Sequence, residues 1–238
     1  MIAAVLPAAG AGERFKHNPT DTPKQFIGLD GRPLYLWSLS TIAAHNQVDI
    51  IVVCVPQLSL DAVQAEIKEL LPSDQSQKIL VTAGGLTRQN SVHNGLDRLS
   101  QLSSPPDFVM VHDAARPLLT AQLINQVIES VTTNGACTVA LPVTDTIKKV
   151  KNNIVDDTLD RNELVQIQTP QAARFEWLLT AHRKAQAENF VTTDDSTILE
   201  HSGHKVHIVT GSPYNLKITN PEDLSLCQSL ASMLTQRS

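Results

Sequence analysis

Ile2-Ala3-Ala4-Val5-Leu6, then Pro7-Ala8-Ala9-Gly10-Ala11-Gly12-Glu13-Arg14, then Pro23-Lys24-Gln25: this stretch sets the fold. The apolar run is short and meets a breaker at once, so it reads as a buried strand. The next segment holds almost no side-chain volume, which lets a ligand lie against the main chain. Its glycines permit the left-handed backbone that turns successive N–H groups toward one point. Such a nest suits phosphate oxygens, and Arg14 and Lys24 add two positive charges just beyond it. Backbone amides, an Arg and a Lys together suit a triphosphate. The competing reading is a tight strand-to-helix turn with no ligand.

Two familiar phosphate motifs are close but absent. A P-loop needs Lys-Ser or Lys-Thr after its last Gly, where Glu13 and Arg14 stand. The dinucleotide fingerprint G-x-G-x-x-G needs Gly at the position of Phe15. A nicotinamide-binding dehydrogenase is therefore disfavoured.

The 238 residues suffice for one large domain, and 42% apolar with 18% charged content is that of an ordinary globular protein. A net charge of −5 disfavours a nucleic-acid footprint while leaving room for a local cationic pocket. No apolar run approaches the roughly 18 residues of a membrane span, so no membrane partner is expected. The amino terminus enters a strand without a basic segment or cleavage site, and no signal peptide is read there. Cys54, Cys137 and Cys227 are far apart and odd in number, which points to reduced, buried thiols and a cytoplasmic location.

Along the chain, strand and helix patterns alternate. Strands are expected at 49–55, 78–82, 108–111 and 136–141. Helices are expected after Pro33, at 61–71, after Thr87 and after Thr120, the two threonines serving as caps. Five alternations argue for an open α/β fold, a mostly parallel Rossmann-like sheet with helices on both faces. Ligands in such sheets sit at the carboxyl ends of the strands. The glycine loop, Gly84-Gly85, Asp113 and residues 142–146 all follow strand ends, so one rim is expected to gather them. The pattern breaks at 143–162, where 147–150 and 154–159 flank Lys151-Asn152-Asn153 as a β-hairpin. A lone hairpin is marginal in water, so this arm, 143–165, is expected to lie on a second copy of the chain. Further on, helices are expected at 174–188 and 194–201, strands at 206–210 and 215–218, and a last helix opened by Asn220-Pro221-Glu222-Asp223. The whole of 1–238 reads as one domain carrying an inserted arm.

Asp113 ends an apolar strand and precedes Ala114-Ala115-Arg116-Pro117. A carboxylate so placed can hold Mg²⁺ against phosphate oxygens, or can simply cap a turn. Arg116 can bind a further phosphate bidentately. Arg88 and Ser91 open the helix after Gly84-Gly85, and Lys217 closes the expected strand before the last helix. Each of these, taken alone, is also compatible with plain surface charge.

Taken together and in order, these motifs carry a resemblance. They are 5–14 with Pro23-Lys24-Gln25, Gly84-Gly85 with Arg88 and Ser91, His112-Asp113-Ala114-Ala115-Arg116-Pro117, Asp145-Thr146, Asp160-Arg161-Asn162, Thr169-Pro170-Gln171, Thr193-Asp194-Asp195 and Lys217-Ile218-Thr219. The sequence resembles the 2-C-methyl-D-erythritol 4-phosphate cytidylyltransferases of the non-mevalonate isoprenoid route, over nearly its whole length. The resemblance implies a homodimer built through the arm, CTP and methylerythritol phosphate as substrates, and Mg²⁺ as the divalent cofactor. It implies that Pro7, Ala8, Ala9, Gly10, Gly12, Arg14 and Lys24 hold the triphosphate, and that Gly85, Arg88 and Ser91 lie near the cytosine. Asp113 would bind Mg²⁺. Arg116, Lys217, Thr146, Arg161 and Thr169 would surround the sugar phosphate, with Thr146 and Arg161 reaching the neighbouring subunit's site. Arg14, Lys24 and Lys217 are the implied catalytic cations. Leu86 departs from the polar or acidic residue found in some members.

The charges suggest a mechanism. CTP carries about four negative charges and the attacking phosphomonoester nearly two, so their approach in a half-buried site is strongly repulsive. Cations offset this, and an anionic nucleophile needs no general base. Catalysis would then be positioning and charge stabilisation of an in-line displacement. Two rivals share the fold: a ribitol 5-phosphate cytidylyltransferase, against which Ala114-Ala115 argues, and a non-catalytic nucleotide sensor, against which Arg14, Lys24 and Asp113 argue.

Overall fold

Ala3 and Val5 face one side of the first strand and Ala4 and Leu6 the other, and all four are fully buried. A strand covered on both faces is the mark of a central parallel strand. The computed structural model describes residues 1–10 and 24–235. The expected phosphate ligands Gly12 and Arg14 lie outside the described residues, as does the side chain of Lys24.

The sheet is built from β1 (Ile2–Pro7), β2 (Ile50–Val55), β3 (Ile79–Ala83), β4 (Phe108–Val111) and β5 (Ala136–Pro142). The arm supplies β6 (Lys148–Lys151) and β7 (Ile154–Thr158), and β8 (Val165–Arg174) and β9 (His207–Thr210) return to the sheet. Its order is β9-β5-β8-β4-β1-β2-β3. All seven strands run parallel except β8, which pairs antiparallel with both β4 and β5.

Helices α1 (Leu34–Ala44), α2 (Leu60–Leu70) and α4 (Ala121–Asn134) cover one face through Leu39, Ile42, Ile67, Ile124 and Val127. Helices α3 (Arg88–Ser100), α5 (Phe175–Ala187) and α6 (Asp195–His201) cover the other through Val92, Leu96, Phe175, Leu178 and Ile198. Each such side chain stabilises the fold by roughly 1.5–3 kcal/mol relative to exposure. Helix α3 lies especially close to the sheet at Gly95, where a Cβ would stand 2.6 Å from Val5 Cγ1 and 3.0 Å from Cys54 Sγ. A third, smaller cluster joins α7 (Pro221–Thr235) to the start of α1 through Leu29, Leu34, Ile218 and Cys227.

The capping signals act as expected. Thr87 Oγ1 accepts from Asn90 N at 3.0 Å, Thr120 Oγ1 from Leu123 N at 3.3 Å, and Asn220 Oδ1 from Asp223 N at 3.0 Å. Two expectations fail. Residues 215–218 form no strand: Ile218 donates its N–H to Ala115 O, and its side chain packs into the α7 cluster instead of extending the sheet. Strand β8, in contrast, is not among the strands expected from the sequence. It holds Pro170, which a central strand should not tolerate; the five residues Ile167 to Gln171 of β8 lie opposite only three of β5, Thr138 to Ala140, and this bulge accommodates the Pro.

The arm forms a separate two-stranded sheet. Asn152 and Asn153 both take left-handed backbone, φ +51° and +61°, as a tight hairpin turn requires. Val150, Ile154 and Val155 are exposed at 57%, 71% and 59%.

Candidate active site

At the carboxyl end of the sheet, Ala8 N donates to Cys54 O at 2.7 Å and carries the chain off β1. Gln25, from the turn Lys24–Phe26, donates its side-chain amide back to Ala8 O at 2.8 Å and Gly10 O at 3.0 Å. The two ends of the glycine loop are thereby tied together. Sequence reasoning gave Gln25 no role of its own, because a Gln beside a Lys carries no chemical signal. The left-handed backbone expected of the loop glycines is not found at Gly10; among the described glycines it occurs at Gly31, Gly135 and Gly203. What Gly10 supplies is space, since nothing lies within 4 Å of where its Cβ would be.

Gly84 permits a close approach: a Cβ there would stand 2.3 Å from Ala9 Cβ and 2.9 Å from Ser91 Oγ. Ser91 is buried, accepts from Gly85 N at 3.0 Å and donates to Thr87 O at 2.9 Å. Its hydroxyl therefore shapes the turn that borders the cleft. Leu86, in the same turn, is fully exposed.

A cleft is lined by Pro7, Gly10, Gln25, Ser91, Ala114 and Ala115, together with Arg88, Asp113 and Lys217. A second cleft is lined by Arg116, Gln168, Thr169, Thr193, Asp194 and Glu200, and again by Arg88, Asp113 and Lys217. These three charged side chains belong to the walls of both. Arg88 Nε donates to Asp113 Oδ1 at 2.7 Å, and Lys217 Nζ to Asp113 Oδ2 at 2.5 Å. Arg88 Nη2 donates to Asp195 Oδ2, also at 2.7 Å. Burial opposes ionisation of Asp113, but the charges of Arg88 and Lys217 outweigh it and hold the carboxyl well below the usual carboxylate range. Asp195 is held low in the same way, against its burial, first by the charge of Arg88. Arg88 thus stands between two carboxylates rather than beside a base alone.

Behind Asp113 the backbone is fixed by a buried relay. Asp113 N donates to Thr169 Oγ1 at 3.1 Å, Thr169 Oγ1 lies 3.2 Å from His112 Nδ1, and His112 Nε2 lies 3.0 Å from Arg116 O. Burial pushes the His112 imidazole down to about 4. The neutral ring therefore accepts from the Thr169 hydroxyl and donates from Nε2 to the carbonyl. Thr169 lines the second cleft, yet its hydroxyl is committed to this relay. Arg116 donates from Nη1 to Asn215 O at 2.7 Å, and its buried Nε has no partner among the described residues. Thr146 and Arg161 lie exposed on the arm, Arg161 donating to Thr144 O at 2.7 Å, and neither lines the clefts of its own chain.

A Rossmann-like sheet with a small-residue loop and two clefts meeting at a charged cluster defines a nucleotidyltransferase. A family profile described as IspD, 2-C-methyl-D-erythritol 4-phosphate cytidylyltransferase, matches residues 2–233. The enzyme of that description from Acidobacterium capsulatum is 41% identical over 244 residues, covering 100% of this chain and 98% of the relative. The one from Bacillus velezensis is 36% identical, covering 95% and 94%. Among solved structures, that of the Francisella tularensis 2-C-methyl-D-erythritol 4-phosphate cytidylyltransferase superposes with a TM-score of 0.78 at 30% identity, covering 96% of this chain and 99% of the other. This chain belongs to the 2-C-methyl-D-erythritol 4-phosphate cytidylyltransferase family.

Proposed function

We infer that the chain carries out its family's reaction, transferring the cytidylyl group of CTP to 2-C-methyl-D-erythritol 4-phosphate with release of pyrophosphate. The observation that carries this reading is the sharing of Asp113, Arg88 and Lys217 between two adjacent clefts. The cleft beside the glycine loop takes CTP, and the cleft beside Arg116 takes the sugar phosphate. Their common wall is where the α-phosphorus and the attacking oxygen would meet.

Pro7, Ala8, Ala9 and Gly10 border the triphosphate, with Gly12, Arg14 and Lys24 as its further ligands. Gly85 and Ser91 shape the wall next to the base, and Pyrimidine selection follows from the small space there. Arg116, with an unused buried N–H, offers a charge-assisted donor to the attacking phosphate. Lys217 lines both clefts and so can face the phosphates of both substrates. The attacking phosphate enters as an anion, so these groups act by orientation and by offsetting charge.

Asp113 fits a magnesium site. Among the described residues it is the one carboxylate lining the first cleft, and they hold no cluster of three ligating side chains. Mg²⁺ characteristically uses one or two carboxylates, retained waters and substrate phosphates. Each Asp113 oxygen also keeps a lone pair beyond the one given to Arg88 or Lys217. Bound there, Mg²⁺ would supply charge neutralisation to the phosphates.

The arm supports a homodimer. Its apolar side chains are exposed, it pairs with no strand of the main sheet, and it carries Thr146 and Arg161 away from their own clefts. In the dimer the two residues enter the partner's sugar-phosphate cleft. No helix among the described residues is long and apolar enough to cross a membrane.

The test is incubation with CTP, Mg²⁺ and either methylerythritol phosphate or ribitol 5-phosphate, following pyrophosphate. Release with the first acceptor alone is expected. Release with ribitol phosphate alone would reassign the acceptor, and release with neither would leave a nucleotide-binding protein without this catalysis.

A further inference from the structure

We propose that His182, on α5 and outside both clefts, is a positioning residue that sets where the Arg88 guanidinium points. The proposal rests on the reading of Arg88 as part of the shared wall. Arg88 is contested by two carboxylates, Asp113 through Nε and Asp195 through Nη2, each at 2.7 Å. Which one holds it more closely decides how much of the guanidinium faces the reacting phosphates.

Asp195 is 1% exposed and sits in the first turn of α6. Its Oδ2 is taken by Arg88, and its Oδ1 lies 3.0 Å from His182 Nε2. A carboxylate only accepts, so the hydrogen is on Nε2. The Asp195 backbone is also fixed, its N–H donating to Gln171 Oε1 at 2.7 Å. With a donor on each oxygen and the main chain tied to β8, the carboxylate cannot rotate without losing a hydrogen bond.

Taking away the His182 donor changes the contest. Oδ1 would be left unpaired where water does not reach, which is costly for a charged acceptor. The nearest remedy is for Asp195 to take two guanidinium N–H groups in a bidentate pair. Arg88 would then be drawn off Asp113, leaving Lys217 as that carboxylate's remaining cation among the described residues.

His182 is well suited to this one task. It is 1% exposed, its neighbours Leu178, Leu179, Ala181 and Ala185 are apolar and buried, and its Nδ1 has no partner among the described residues. Its bond to Asp195 is thus its single hydrogen bond there. The ring of His93 lies beside it, 6.2 Å between centroids.

The test compares His182→Leu with His182→Gln, whose amide can replace the Nε2 donor. Loss of a buried bond to a charged group predicts that His182→Leu lowers kcat about tenfold, with His182→Gln within about threefold of wild type. In an Arg88→Gln background, where nothing is left to position, His182→Leu should cost less than about twofold. A purely structural role would give the same loss in both backgrounds, and that result would overturn the proposal. Activity of His182→Leu within about twofold of wild type would overturn it too. Should the Leu variant fail to fold, His182→Asn against His182→Gln makes the same comparison, since Asn does not reach Asp195. A crystal structure of the donorless variant supplies a readout independent of turnover. Arg88 withdrawn from Asp113 supports the proposal, and Arg88 still bridging both carboxylates overturns it. Wild-type turnover of CTP and methylerythritol phosphate tests the underlying reading separately, and the position of Arg88 decides the present one even if that turnover is absent.

Discussion

Lys24 and Gln25 are adjacent in sequence and should fail in opposite ways. Lys24 is expected to meet charge that grows on the leaving phosphates, so its interaction belongs to the transition state. Lys24→Ala should lower kcat about a hundredfold or more while KM for CTP stays within about threefold; steady-state kinetics with kcat unchanged would remove Lys24 from that role. Gln25 touches the loop and not the reaction, through its bonds to Ala8 O and Gly10 O. Losing two hydrogen bonds of about 1 kcal/mol each should loosen the loop, so Gln25→Ala should raise KM for CTP about tenfold with kcat nearly kept. A kcat loss as large as that of the Lys variant would mean the amide acts on the reaction itself. The sequence displayed Lys24, Asp113, Arg116 and Lys217 because charged residues inside recognisable motifs stand out. Gln25, Asp195 and His182 were not legible as site residues. Their roles depend on which atoms face them across the fold, and no spacing rule encodes that.

Helix α3 brings Arg88 and Ser91 to the cleft, and it does so by lying almost against the sheet. Gly95 makes that possible, with Val5 and Cys54 directly beneath it. Gly95→Val should wedge the helix outward at a cost of about 3 kcal/mol, and displace Arg88 and the Ser91-bound turn with it. A lowered urea midpoint together with lost activity is expected, and an unchanged midpoint would show that the helix has room to spare. At this scale the sequence was largely readable. Strands with continuous Ile and Val, and helices opened by Thr87, Thr120 or Asn220, fall within a residue or two of their expected bounds. The failures have physical causes. Val165–Arg174 alternates polar and apolar residues around Pro170, and only its bulge reconciles it with a central place. At 215–218 the alternating Leu216 and Ile218 imitate a strand, but they pack into the α7 cluster and do not pair.

The arm decides what the whole molecule is. Its exposed apolar side chains predict that Ile154→Glu with Val155→Glu yields a monomer by sedimentation, since charges on a face meant for burial oppose association. A variant that still sediments as a dimer would place the interface elsewhere. The proposed sharing of the site between subunits has a sharper test. Protomers carrying Lys24→Ala and protomers carrying Arg161→Ala, refolded together one to one, should regain about a quarter of the wild-type rate, because half the dimers hold one intact site. Failure to regain any activity would mean that each chain supplies its own Arg161.

Strand β8 also bears on how the protein is born. Among the described residues it is the only strand that bridges β4 and β5, and it follows them in the chain by tens of residues. On the ribosome, therefore, the four strands β4-β1-β2-β3 and the single strand β5 cannot be joined into this sheet until residue 174 has left the exit tunnel. A nascent polypeptide stalled within the arm would keep a gap at its centre, just where the charged cluster is later assembled.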